Sequence, residues 1–124
     1  MKIEGYMKKY IILLAILAIT GCASPAKYTS ASMKHYDQNT DYAIEPNDKG
    51  FVVSVYYSRY QFMPESDAVA IACRQALTSI AHDHASKSGR EIEQVNEQAL
   101  RISLGRSGIT GITSCSATAP AKWK

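Results

Sequence analysis

His82-Asp83-His84 is the densest group of side chains in the sequence that could bind a metal ion or transfer protons. The surrounding residues have helical spacing, and residues two positions apart on a helix point about 200° away from each other. The two imidazoles therefore cannot share one ion, and the spacing of a helical zinc site is absent. We interpret the group as a surface pair at a helix end, where the helix dipole stabilises a protonated histidine. No metal site is expected.

No other spacing in the sequence matches an enzyme motif. Glu91, Glu93 and Glu97 could form an acidic face, but nothing identifies a partner for general acid-base catalysis. Nucleophile elbows, phosphate-binding glycine loops and zinc spacings are missing, and the stretch 105–108 is better explained as a turn. The sequence therefore predicts a protein that is not an enzyme, with no catalytic residue.

The residues from Met7 to Cys22 have the organisation of an export signal. Lys8 and Lys9 supply positive charge, and the uncharged run 11–19 supplies an apolar core. That core is too short for a spanning helix, which needs about 20 apolar residues. Its end, Ile19-Thr20-Gly21-Cys22, resembles the lipobox of bacterial lipoproteins. Because Glu4 stands where such signals carry positive charge, Met7 is a candidate start.

In that family the cysteine is diacylglycerated, the signal peptide is cut just before it, and the new amino terminus is acylated. The resemblance covers only the opening residues. It implies a signal peptide at 1–21 and a covalent lipid at Cys22, palmitate included, as the only cofactor. Three acyl chains would hold the protein firmly, because each buried methylene contributes about 0.8 kcal/mol. By the same resemblance, Ala23 and Ser24, in place of an Asp after the cysteine, imply the outer membrane if the cell is Gram-negative, facing the periplasm or the cell surface.

Composition adds little to this. Cleavage before Cys22 leaves 103 residues, enough for one domain with a tether. The removed part carries two of the three net positive charges, so the mature chain has a net charge of +1. No strong field remains to attract nucleic acid, and no nucleic-acid motif is visible. The expected partners are the membrane and an envelope protein.

Once Cys22 carries lipid, Cys73 and Cys115 form an even pair in a compartment that should be oxidising. A single intramolecular disulfide can form, and it would close a loop of roughly 42 residues, worth about 4 kcal/mol at most. The alternative is two buried free thiols. A catalytic thiol is disfavoured, because neither cysteine lies in a C-x-x-C motif or beside a histidine.

Domain boundaries follow from composition and periodicity. The stretch from Ala23 to Asn39 is rich in Ala, Ser, Thr, Lys and Pro and shows no sustained period. We predict that 22–40 is the lipidated cysteine with a flexible tether, and that 41–124 is a small folded domain.

Alternating residues at 41–45, turn formers at 46–50 and the β-branched and aromatic run 51–62 predict an antiparallel hairpin. A period of two places alternate residues of the second strand on one face, which we predict to be the core: Phe51, Val53, Val55 and Tyr57.

Pro64-Glu65-Ser66-Asp67 indicates a helix start, and Ser88-Gly89 indicates its end. Between them, apolar residues recur at helical spacing as one stripe that His84 ends: Val69, Cys73, Ala76, Leu77 and Ile80. Because Cys73 lies on this stripe, Cys115 should lie on a strand that faces the helix.

The last third predicts two more strands, at 99–104 and at 109–119, with Pro120 ending the second. Trp123 is expected to fold back over the core edge. The predicted fold is α+β, a β-β-α-β-β antiparallel sheet with one helix packed on one face.

Tyr56 and Tyr60 are the candidate partner-binding residues. If the helix covers the Val53 face, both tyrosines lie on the open face, where aromatic side chains commonly mark contact sites. The alternatives are that they pack beneath the tether or the terminal segment, or that the register is reversed.

Three functions therefore remain open. The first is an envelope lipoprotein with a non-enzymatic binding or assembly role. The second is an inhibitor or immunity-type periplasmic lipoprotein. The third is a small hydrolase that uses His82 or His84 with a carboxylate supplied by the fold, which would need a concave pocket where the two meet.

Overall fold

The computed structural model describes residues 25–124, so the predicted signal peptide and Cys22 lie outside the described residues. The described part is an α+β fold, a five-stranded antiparallel sheet with one α-helix on one face, which confirms the predicted class. The strands lie in the order β1-β2-β3-β5-β4. The elements are β1 (Lys34–His35), β2 (Thr40–Pro46), β3 (Gly50–Tyr60), α1 (Ser66–Lys87), a short 3-10 turn (Glu97–Ala99), β4 (Arg101–Arg106) and β5 (Ile112–Lys122).

The predicted hairpin is β2 and β3. Its turn is stabilised by Asn47, whose side-chain oxygen accepts hydrogen bonds from the backbone N–H groups of Lys49 (3.0 Å) and Gly50 (2.8 Å). The predicted core face of β3 is confirmed, because its apolar side chains pack in the core against the helix: Phe51, Val53, Val55 and, partly buried, Tyr57.

Helix α1 begins beside Gln61, whose side-chain oxygen accepts a hydrogen bond from the Glu65 N–H at 3.2 Å. It ends before Gly89, which takes a positive φ of 67° and stops the helix as the sequence predicts. The buried stripe includes the predicted Val69, Cys73, Leu77 and Ile80, and also two alanines, Ala81 and Ala85.

Strand β5 pairs with β3 over its whole length and with β4 over part of it. The prediction that Pro120 ends this strand is wrong, since β5 continues to Lys122. In the alternating antiparallel ladder, Trp123 donates its N–H to Lys49, so the nitrogen of Pro120 points away from β3. On that side β4 has already ended, at the pair of Arg101 with Thr118, and the missing N–H leaves no gap in a ladder.

The sheet begins at Lys34 rather than at residue 41, because β1 pairs with β2 inside the segment predicted as tether. Tyr36 continues this order, since its N–H donates to the Thr40 carbonyl at 2.9 Å. The composition predicts flexibility here, but the pairing partner is supplied by β2.

Trp123 packs at the edge of the core, as predicted. Its ring lies 5.2 Å from that of Phe51, and the Arg90 guanidinium lies 4.5 Å from the centre of the indole. His84 packs edge-on against the same Phe51 ring at 4.7 Å. Through Phe51, the residue that follows β5 therefore packs against the last turn of α1.

Candidate functional site

The two cysteines of the domain are brought together by the helix and the sheet. Cys73 on α1 and Cys115 on β5 are both fully buried, and their Sγ atoms lie at disulfide distance. This is the juxtaposition that the sequence predicts from the stripe on the helix. Because both cysteines are fully buried, this pair has a structural role and not a catalytic one.

Tyr56 and Tyr60 lie on the sheet face opposite the helix, in the predicted register. They do not form one patch. Tyr56 is half-buried near the middle of β3, whereas Tyr60 is 64% exposed at the strand end. Tyr60 packs there over Gly111, where a Cβ would lie 2.7 Å from the ring.

The sheet face around Tyr56 is lined by small hydroxyl side chains. The Ser54 hydroxyl lies 3.0 Å from that of Thr118, which in turn donates to the Val53 carbonyl at 3.2 Å. The strand register places further hydroxyls on the same face: Ser58, Ser103, Ser114 and Ser116. Several of these are buried, although the helix lies on the other side of the sheet.

The segment 25–33 crosses this hydroxyl-lined face. The Ala26 N–H donates to the Ser103 hydroxyl of β4 at 3.1 Å, and the Thr29 hydroxyl donates to the Glu45 carboxylate of β2. Ser103 and Glu45 belong to different strands on the two sides of β3. Tyr56 therefore lies beneath part of the predicted tether, which was the alternative to a free binding face.

A groove of about 710 Å³ lies between this segment and the sheet. The described side chains that line it are mostly polar and include Lys27, Thr29, Ser32, Met33, Asp41 and Tyr56. At its rim the His35 imidazole contacts the Asp41 carboxylate, with the imidazole largely exposed. The groove is suited to a polar or extended ligand rather than to a large apolar one.

The His82-Asp83-His84 group separates as helical geometry predicts. His84 packs against Phe51, whereas His82 is exposed. The Asp83 carboxylate accepts a hydrogen bond from the Tyr36 hydroxyl at 2.8 Å. That hydrogen bond, more than the burial of the ring or the charges of Asp83 and Asp37, raises the pKa of Tyr36 above its ordinary value.

Residues 25–124 contain no group of three or more His, Cys, Asp and Glu side chains arranged to hold a metal ion. Glu91 is exposed and forms a surface ion pair with Lys124 at 3.6 Å. In the same described range, no helix has the length and apolar character needed to cross a bilayer.

Comparisons with protein-family models, with curated proteins and with solved structures find no match for this chain.

Sequence reasoning missed one surface, at the end of the sheet beyond Tyr60. Large apolar side chains lie exposed on two neighbouring loops there, with Phe62 87%, Met63 73% and Ile109 85% exposed. We define the apolar end as these three residues together with Tyr60 and Ile112. The available signal was the placement of large apolar residues among turn formers, Phe62-Met63 before Pro64 and Ile109 after Gly108.

Proposed function

We propose that the protein is a bacterial lipoprotein of the cell envelope, attached to the outer membrane through lipid on Cys22, with a non-enzymatic binding or assembly role. The observation that carries this proposal is the order of residues from Lys8 to Cys22: charge, a short apolar core, then Ile-Thr-Gly-Cys. Ala23 in the position after the cysteine favours the outer membrane.

The buried cysteine pair supports an extracytoplasmic location. Cys73 and Cys115 stand at disulfide distance, and stable disulfides belong to oxidising compartments such as the periplasm. With both domain cysteines placed against each other, Cys22 is the thiol left over for lipid.

Labelling with an alkyne analogue of palmitate in a Gram-negative host tests the lipid attachment. The wild type and a Cys73→Ser/Cys115→Ser variant should both take up label, and a Cys22→Ser variant should take up none. Label that persists on Cys22→Ser, or a processed wild type without label, would refute the proposal.

Ala23→Asp tests the membrane assignment with the lipid in place. By the family resemblance, this variant should move to the inner-membrane fraction on a density gradient, while Ser24→Ala stays with the outer membrane. Identical fractionation of Ala23→Asp and the wild type would contradict the outer-membrane assignment.

For the binding role, the groove beneath 25–33 is the site that the geometry supports best. Tyr56 and Asp41 form its floor, and Lys27 and Ser30 lie on the segment above them. An extended stretch of an envelope protein could hydrogen-bond to these polar groups and pack on the tyrosine ring.

Site-specific photocrosslinking in intact cells tests the groove. A photoreactive residue in place of the exposed Ser30 should give one discrete adduct, and one in place of Asp48, in the distant β2–β3 turn, should give none. Tyr56→Ser should abolish the Ser30 adduct, whereas Tyr56→Phe, which keeps the ring, should retain it. Equal adducts from the two positions would contradict a groove-specific partner.

A further inference from the structure

Polar contacts behind the apolar end join its two loops to each other. The Gln61 N–H donates to the Gly111 carbonyl at 2.9 Å, which joins the β3–α1 loop to the β4–β5 hairpin. The Arg106 guanidinium donates to the Gln61 carbonyl at 3.2 Å and to the Thr113 hydroxyl at 3.0 Å. Because these contacts join the two loops, Phe62, Met63 and Ile109 lie on one connected surface.

Exposed apolar side chains that lie this close together indicate a surface that contacts another molecule or a membrane. Large apolar residues scattered singly over a surface are ordinary, but neighbouring ones on adjacent loop tips mark a contact with another apolar phase. Tyr60, beside them, has the apolar ring and polar tip that suit a membrane interface. Two candidates exist for the occupant, a bilayer and a protein.

The position of the lipid attachment favours the bilayer. Ala26 contacts Ser103 on β4, and the four Cα-to-Cα steps from Cys22 to Ala26 can span at most about 14 Å. Ser103 is three residues from Arg106, where β4 meets the hairpin, a distance of about 10 Å along the strand. An acylated Cys22 would therefore keep the membrane surface within reach of the hairpin.

The opposite end of the sheet is farther from the contact of Ala26 with Ser103. The register aligns Ser103 with Ser116, and Ser116 with Tyr56. From Tyr56, the strand runs about 13 Å to Tyr60 but about 20 Å to Gly50, where β3 begins at the β2–β3 turn. The contact of Ala26 with the sheet therefore lies nearer to the apolar end than to the β2–β3 turn.

Charge near the apolar end is mixed. Arg59 is exposed at the end of β3, and Glu65 and Asp67 are exposed at the start of α1. Contact with a bilayer would therefore depend on insertion of apolar side chains rather than on attraction to anionic lipids, so it should be insensitive to salt.

We infer that the apolar end inserts into the interfacial region of the bilayer to which Cys22 is attached, and so fixes the orientation of the domain on the membrane. The inference rests on the proposed lipid attachment. Side chains of this kind enter about 5 to 10 Å into the boundary between headgroups and acyl chains. Tyr60 then contacts the membrane, and the groove with Tyr56 stays accessible to a protein.

Fluorescence quenching by brominated lipid tests the insertion. Lipidated full-length protein, processed in cells, is reconstituted into phosphatidylcholine vesicles as Phe62→Trp/Trp123→Phe and, for the control, as Asp48→Trp/Trp123→Phe. Phe62→Trp should emit at shorter wavelength on vesicles, and bromines near the headgroup end of the chains should quench it more than bromines at the bilayer centre. Asp48→Trp should show neither effect, and added salt should change neither result.

The possible outcomes are distinguishable. Vesicles that float with bound protein while Phe62→Trp stays unquenched would overturn the inference and leave the apolar end to a protein partner. Failure of every variant to float would overturn the lipid attachment itself, and the inference with it. As a control, Phe62→Trp and Asp48→Trp are also made with Trp123 retained, and their emission is read as the difference from the wild type. This control excludes a result caused by misfolding of Trp123→Phe.

Discussion

The Cα atoms of Cys73 on α1 and Cys115 on β5 lie 6.3 Å apart, a separation that a disulfide bond spans. Such a bond joins the helix covalently to the strand beneath it. The two residues are 42 positions apart in the chain, and a bond that closes such a loop restricts the unfolded chain. Reduction, or the Cys73→Ala/Cys115→Ala double substitution, should lower the free energy of unfolding by up to about 4 kcal/mol.

Denaturant unfolding of the oxidised and reduced wild type measures this loss. Thiol titration of the denatured, unreduced mature protein should find no free thiol. Two titratable thiols, or equal stability with and without reductant, would contradict the bond.

Gly50 should not tolerate a side chain. A Cβ at this position would lie 1.9 Å from the Ala121 carbonyl oxygen, which belongs to the backbone of β5 and cannot rotate away. Gly50→Ala should therefore destabilise the fold by about 3 kcal/mol. Gly108→Ala is the matched control, because a Cβ there meets nothing within 4 Å, and it should change stability by less than about 1 kcal/mol. Equal unfolding midpoints for the two variants would contradict the close approach.

Trp123 should stabilise the fold although it is the second-last residue. Its ring is half-buried against Phe51 and under Arg90, so Trp123→Ala should cost about 2 kcal/mol, below the range for a fully buried aromatic. A double-mutant cycle with Arg90→Ala should give a coupling of about 0.5 to 1 kcal/mol. Lys124→Ala, which removes only a surface ion pair, should be nearly neutral. A Trp123→Ala variant as stable as Lys124→Ala would show that the C-terminal residues do not contribute to the core.

The hydrogen bond from Tyr36 to Asp83 predicts a pH effect at the alkaline end. Because the folded state raises the pKa of Tyr36, it holds the phenol proton more tightly than the unfolded chain does. This contribution is fully present below the unfolded pKa, about 10, and is lost as pH rises through the higher folded pKa. Tyr36→Phe should make stability depend less steeply on pH in that window.

An NMR titration of ring-labelled tyrosine measures the shift directly. In Asp83→Asn the pKa of Tyr36 should fall towards its ordinary value. The Asp83 carboxylate supplies both the hydrogen bond and one of the two negative charges that raise this pKa. An unchanged Tyr36 titration in Asp83→Asn would refute the assigned cause.

Local chemistry was sufficient to predict most of the fold. The β2–β3 hairpin has turn formers between two alternating runs, and the stripe through Cys73 and Leu77 has the helical period, so pairing and burial follow from sequence spacing. The placement of Cys115 opposite the helix followed from the same stripe.

The parts that sequence missed depend on neighbours far along the chain. Pro120 continues β5 only because β4 ends before it, and β1 forms only because β2 offers an edge. The crossing of the segment 25–33 depends on single hydrogen bonds to Ser103 and Glu45, which leave no periodic pattern. The same segment covers Tyr56, which lies in the groove, but not Tyr60, which lies exposed at the apolar end.

Intact-mass and N-terminal analysis of the protein purified from membranes tests the central claim most directly. We expect a chain that begins at Cys22, is blocked at its amino terminus, and carries the additional mass of a diacylglycerol and one further acyl chain. A mature chain that begins at Met1 or Met7, or that begins at residue 22 with an unmodified cysteine, would contradict the lipoprotein assignment.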